Sequence, residues 1–302
     1  MRTKKTLIPI LLCLLLSFAC GYIVLPEEIR NPSEESGAWS ALATNVATSD
    51  GGGIRIDITI RNDTGDWSAM EATDEPALLE AGGESIDCET VVVSSGGHRL
   101  APGFQMRGFT SEGDDGPEVE HLHVTCTDAA APEGGTLSID YVYFTGQYNY
   151  YEPEANMADG TLEIALDEIA TELTYPVAHE VEGLIKDTEV EITTLNDVVL
   201  TLTGVERTEE GLQFAWKTAN PGEYPTYVHI GNPPVIGAEG IIYGVYQVPD
   251  LASVPITPGG GEAEWTTNVA VPQDASNLYI LLSAETGKQR LYANHVIDIS
   301  EE

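Results

Sequence analysis

Ile54-Arg55-Ile56-Asp57-Ile58-Thr59-Ile60-Arg61 decides the fold class of this chain. Four isoleucines alternate with charged or hydroxyl residues. Successive side chains of a strand point to opposite faces, so this segment has one apolar face and one wet face. Asn62-Asp63-Thr64-Gly65 follows it with residues that favour turns.

The same two-residue rhythm extends outward on the C-terminal side. It predicts strands over Trp67–Ala72, Ser85–Ser94, Phe104–Thr110, Val119–Thr127 and Leu137–Phe144. Thr161–Asp167 alternates as a strand would, although Leu162, Leu166, Ile169 and Leu173 also fit a helix. The strand is favoured, followed by a linker through Thr174-Tyr175-Pro176. Beyond it the pattern restarts with Val198–Glu206 and Leu212–Lys217 around Arg207-Thr208-Glu209-Glu210-Gly211, a hairpin in which Leu212, Phe214 and Trp216 face inward. Tyr224–Ile230, Ile241–Val248, Trp265–Val271, Leu278–Ser283 and Leu291–Ile299 complete the set. Many short strands with regular turn signals and almost no helix predict an all-β protein of two tandem antiparallel sandwiches, residues 37–173 and 174–302. In this general architecture the halves resemble immunoglobulin-like domains of bacterial surface lipoproteins, a likeness that carries no motif.

Cys88 and Cys126 pair in this reading. Ile86, Cys88 and Val92 share one strand face, and Leu122, Val124 and Cys126 share another, so both sulfurs point into one core. In an exported chain an even pair reads as a disulfide, and in the chain-entropy model it stabilises the domain by about 4 kcal/mol.

Export is read from the first residues. Arg2, Lys4 and Lys5 precede an apolar run from Leu7 to Leu16, then Ser17-Phe18-Ala19-Cys20. A charged start, a short apolar stretch and small residues before the cut are the parts of a cleaved signal, residues 1–19. Leu16-Ser17-Phe18-Ala19-Cys20 resembles the lipobox of bacterial lipoproteins, departing from it at Ser17, where that family carries a branched aliphatic residue. The resemblance implies that the Cys20 thiol is acylated and that residues 20–36 form a tether. An ordinary signal peptidase would cut the same bond without adding lipid.

Charge narrows the partners. The chain carries 13 Lys+Arg against 49 Asp+Glu, a net charge of −36, and the signal segment contains only basic charges. Such a field repels nucleic acid and anionic headgroups while attracting divalent cations. Two acidic segments are therefore candidate calcium sites: Asp63 and Asp66 in one, and Asp114, Asp115 and Glu118 in the other. Neither has the spacing of a helix-loop-helix calcium loop. The competing reading is a solvated acidic coat.

Other patches are sparse. His121 and His123, two apart, would share a strand face and so a transition ion, or simply be exposed; His295 falls on a core face. Tyr148, Tyr150 and Tyr151 lie in a polar loop, as candidate contacts for a glycan or protein. Gly231-Asn232-Pro233-Pro234-Val235-Ile236-Gly237 is a stiff loop that would present a further contact. No nucleophile elbow, zinc-hydrolase motif, phosphate loop or dinucleotide fingerprint is present, so no catalytic residue or certain cofactor is assigned. The expectation is a non-catalytic binding or scaffold module on the extracytoplasmic side of a membrane, binding a glycan or a protein. The alternatives are a secreted hydrolase using carboxylates in an inter-domain cleft and a purely structural envelope protein.

Overall fold

The computed structural model describes residues 38–48, 52–95, 99–113, 116–127, 129, 134–145, 157–167, 190–193, 198–225, 228–230, 235–237, 239–244, 258–286 and 293–299. All of them belong to one unit, Gly37–Glu302. The described residues form no helix, and none is long and apolar enough to cross a membrane.

The strands are β1 (Trp39–Thr48), β2 (Ile54–Asn62), β3 (Ser68–Ala72), β4 (Ala77–Ala81), β5 (Glu84–Cys88), β6 (Thr90–Val92), β7 (Gln105–Met106), β8 (Gly108–Gly113), β9 (Gly116–His121), β10 (His123–Cys126), β11 (Thr136–Thr145) and β12 (Met157–Ala165). Then come β13 (Val190–Thr193), β14 (Val199–Thr208), β15 (Gly211–Asn220), β16 (Val228–Ile230), β17 (Val235–Ile236), β18 (Ile241–Tyr243), β19 (Gly261–Val269), β20 (Tyr279–Thr286) and β21 (Ala293–Asp298). The protein is all-β, as the alternation predicts.

Four sheets result. The first runs β1-β2-β10-β6 with β7 beside β2, and the second runs β12-β11-β4-β5 with β3 beside β11. Their inward residues meet in one core: Ile54, Ile56, Ile58, Ile60 and Val124 from the first, and Leu79, Leu137, Ile139, Leu162 and Ile164 from the second. Thr161–Asp167 thus lies in and beside β12, a strand rather than a helix, with Leu162 and Ile164 inside. The third sheet runs β13-β14-β15-β19, and its Leu200, Leu202, Phe214 and Trp216 build a second core. There the indole N–H of buried Trp216 donates to Thr267 (2.9 Å) and that of half-buried Trp265 donates to Thr218 (3.1 Å), so both donors are satisfied.

The fourth sheet runs β16-β20-β17-β18-β8-β9 with β21 on β20, and it is the layer both cores share. Ile236, Ile242, Leu281 and Val296 pack in the first core, while Val235, Ile241, Tyr243, Ile280 and Ile297 pack in the second. Adjacent residues of one strand therefore serve different cores. A strand buried on both faces reads as a continuous apolar run, which is how Ile241-Ile242-Tyr243 and Leu278-Tyr279-Ile280-Leu281-Leu282 are written. Within this sheet β8 joins β18 in parallel, Ile241 beside Gly108 and Ile242 beside Phe109, so strands from the two halves of the sequence share hydrogen bonds. The expected boundary at 173/174 lies outside the described residues.

Three predicted strands are each divided between sheets. Ser85–Ser94 breaks at Glu89, where β5 of the second sheet gives way to β6 of the first. Phe104–Thr110 breaks at Arg107, and Val119–Thr127 breaks at Leu122. The last two breaks are bonded to each other, Leu122 N–H to the Arg107 carbonyl at 2.9 Å. Between them the hairpin β8–β9 leaves the first sheet and joins the fourth. Gly108 makes the join possible: a Cβ there would lie 2.7 Å from the Glu120 carbonyl oxygen and 3.1 Å from Cδ1 of Ile241.

Candidate functional site

Cys88 ends β5 and Cys126 ends β10, and the two are disulfide-bonded with both side chains fully buried. The bond ties the second sheet to the first at the point where the chain crosses between them.

The other sequence candidates disperse. Cys20, Tyr148, Tyr150, Tyr151, Asp114 and Asp115 lie outside the described residues, as does most of the 231–237 loop. Glu118 is exposed on β9. Asp63 and Asp66 serve the turn after β2. The Asp63 carboxylate accepts from Arg61, the Asp66 carboxylate from the Trp67 N–H (2.7 Å), and the Asp66 carbonyl from Asn62 (2.9 Å) and Thr64 (2.6 Å). Among the described residues no group of three or more His, Cys, Asp or Glu side chains is placed to hold a metal ion. His121 and His123, expected to share one strand, instead lie on different sheets because Leu122 is a sheet crossing. His123 Nδ1–H donates to the His121 carbonyl at 2.7 Å. His295 is half-buried on β21, and desolvation pushes its imidazole below the usual range.

Beside the His121–His123 kink, Asp57 accepts from Arg55 (2.7 Å) and Asn45 (3.0 Å). Burial pushes its carboxyl up. Those two hydrogen bonds and the nearby charges of Arg55 and His121 outweigh burial and hold it below the usual range.

The arrangement with chemical potential is a cleft of about 330 Å³ between the β9 and β18 side of the fourth sheet and the 272–276 loop. Register places His121, Gly108 and Ile241 side by side on one face, the face that Tyr243 also presents. Farther along, toward β17 and β20, this face is covered by the second core. At β8–β9 the cover ends, leaving a floor of Val119 and Ile241 and a wall made by the 272–276 loop. Arg107, held in the sheet crossing by its N–H to the Gly240 carbonyl (2.9 Å), brings a guanidinium to the rim. Its Nη2 lies 3.5 Å from Glu239, while its Nε is shielded from solvent and has no hydrogen-bond partner among the described residues. The Tyr243 phenol is pushed up, first by burial, then by the negative charges of Glu239 and Asp274, against the pull of Arg107. It stays a protonated donor at neutral pH.

The cleft thus offers donors (Arg107, His121, Tyr243), acceptors (Glu239, Asp274) and an apolar floor. Sequence reading singled out His121, with His123 as its expected partner, and missed Arg107, Glu239, Tyr243 and Asp274 because the set comes from four separated segments. A further signal was Arg107, an isolated cation inside an apolar strand run of a chain with few cations.

No family model and no curated protein matches the chain. Among solved structures, the E. coli chaperone DraB is similar with a TM-score of 0.19 at 8% identity, covering 87% of this chain and 94% of that one. The Salmonella enterica SafA pilin in complex with the SafB chaperone gives a TM-score of 0.17 at 12% identity, covering 89% of this chain and 99% of that one. Scores this low carry no argument about what the protein does.

Proposed function

We propose that the protein is an exported, membrane-anchored, non-catalytic binding module whose ligand, a glycan or a protein segment, is taken in the cleft between β8–β9 and the 272–276 loop. The carrying observation is that cleft: a concave site with an apolar floor and convergent polar groups, the common form of a ligand site. The Cys88–Cys126 bond supports export, because disulfides persist in oxidising compartments. The lipobox-like Leu16–Cys20 supports a lipid anchor on Cys20, and two or more acyl chains hold a protein durably on a bilayer.

The test is titration of the purified mature chain with panels of oligosaccharides and peptides, repeated with Arg107→Ala and Asp274→Ala. A ligand whose affinity falls about tenfold or more in both variants, with thermal stability retained, supports the reading. Unchanged affinity in both removes the cleft from it. Metabolic palmitate labelling that survives Cys20→Ala would remove the anchor.

A second reading is favoured by one observation: the cleft carries two carboxylates, Glu239 and Asp274, from different segments. A hydrolase would use such a pair as acid and base. Turnover of any glycan, abolished by Glu239→Gln or Asp274→Asn, would select it.

A further inference from the structure

We infer that the ligand unit held in this cleft is a neutral, hydroxyl-rich sugar and not an acidic one, an inference that rests on the binding-module reading above.

Local charge argues for this first. The cleft holds one guanidinium, Arg107, and two carboxylates, Glu239 and Asp274, and the guanidinium already has Glu239 at 3.5 Å. An incoming carboxylate would have to draw Arg107 away from Glu239, leaving three like charges in one small space. Like-charge juxtaposition in an interface is unfavourable and is a common means of rejecting wrong partners. The whole chain, at −36, adds repulsion at longer range. A neutral polyol meets neither penalty.

Hydrogen-bond chemistry argues second. Each sugar hydroxyl donates once and accepts twice, so vicinal hydroxyls are matched by donors beside acceptors. The cleft supplies both kinds: Arg107, with Nη2 3.5 Å from Glu239, lines it together with His121, Asp274 and Tyr243, whose phenol feels the charges of Glu239 and Asp274. Arg107 carries five N–H donors on a side chain that is 34% exposed, and its 3.5 Å contact with Glu239 is made by Nη2, so donors remain for ligand hydroxyls.

Shape argues third. Val119, an exposed apolar residue (45%), lies with Ile241 and Pro272 along the cleft and would take the C–H face of a pyranose. The cleft volume of about 330 Å³ sits at the small end of the range for ligand pockets, which suits one or two rings.

The experiment titrates the purified mature chain in detergent with maltose, cellobiose and N,N′-diacetylchitobiose, with digalacturonate, and with a random tetrapeptide library, reading binding by saturation-transfer NMR. The expected result is binding of at least one neutral disaccharide, weakened about tenfold or more by Arg107→Ala and by Asp274→Asn, with digalacturonate about tenfold weaker than that disaccharide. Asp274 is exposed, so its variant should fold even if Arg107→Ala perturbs the sheet crossing. Equal or tighter binding of digalacturonate overturns the inference. Peptide binding at the cleft without sugar binding also overturns it and leaves the binding-module reading standing. Binding of neither class overturns both.

Discussion

Ile241 and Ile242 are neighbours in one strand, yet they belong to different cores, and this pair tests the shared-sheet architecture. Ile242 is completely enclosed in the first core and Ile241 is nearly so in the second. Ile242→Ala deletes three carbons, worth about 2.4 kcal/mol of transfer free energy at roughly 0.8 per methylene. Its strand is hydrogen-bonded to β17 on one side and β8 on the other, so the hole collapses little. The cavity term raises the loss to about 4 kcal/mol. Ile241 also borders the open cleft, where relaxation is easier, and its truncation should cost about 2–3 kcal/mol. At roughly 2–4 °C per kcal/mol for large domains, the midpoints should fall by about 8–16 °C and 4–12 °C. Because one sheet closes both cores, neither core can open without stripping cover from the other. Differential scanning calorimetry should therefore show a single transition that moves as a whole in each variant. Two transitions, one shifted only by Ile242→Ala and the other only by Ile241→Ala, would refute the coupling.

Three further outcomes follow from particular contacts. Gly160→Ala should cost about 2–5 kcal/mol by urea unfolding: its Cβ would lie 2.5 Å from the Tyr141 hydroxyl, which accepts the Trp39 N–H at 3.2 Å, so overpacking and a lost hydrogen bond add together. Tyr141→Phe in the same chain should then cost less than it does alone, and strict additivity would sink the explanation. Reducing Cys88–Cys126, which spans 38 residues, should lower stability by about 4 kcal/mol, measured as the difference in unfolding free energy with and without reductant. The neutral form of His295 is favoured in the folded state, so the unfolded chain binds the extra proton. Its contribution is intact above pH 6.5, the ordinary value, and is lost as pH falls from there to the lowered folded-state value. His295→Gln should flatten the stability profile in that window, and an unchanged slope would count against it.

Legibility in the sequence followed how local each signal was. The isoleucine ladder of β2, the inward Leu212, Phe214 and Trp216 of β15 and the buried Leu122, Val124 and Cys126 were readable, since each depends only on period-two alternation, whereas Val93 and not the expected Val92 is buried beyond the break at Glu89. β1 escaped notice because its size pattern is inverted: Ala41 and Ala43 are buried while Leu42 is 47% exposed. At the edge of the first sheet the small residues face the core and the large one faces water. β4 is a short segment after Pro76 with too few residues to establish a rhythm. The three sheet crossings at Glu89, Arg107 and Leu122 leave alternation nearly undisturbed, so each divided strand reads as one.

What the sequence determined by itself is the class: strands throughout, which side of most strands is wet, and which two cysteines can meet. These are properties of neighbouring residues. Only the tertiary structure decided that β8 pairs in parallel with β18, that one sheet closes two cores, and that Arg107, His121, Glu239, Tyr243 and Asp274 line one cleft. Continuous apolar runs announce two buried faces, but they do not say what buries them. That depends on which distant strand can approach, and here the approach turns on Gly108, where even a methyl group would collide.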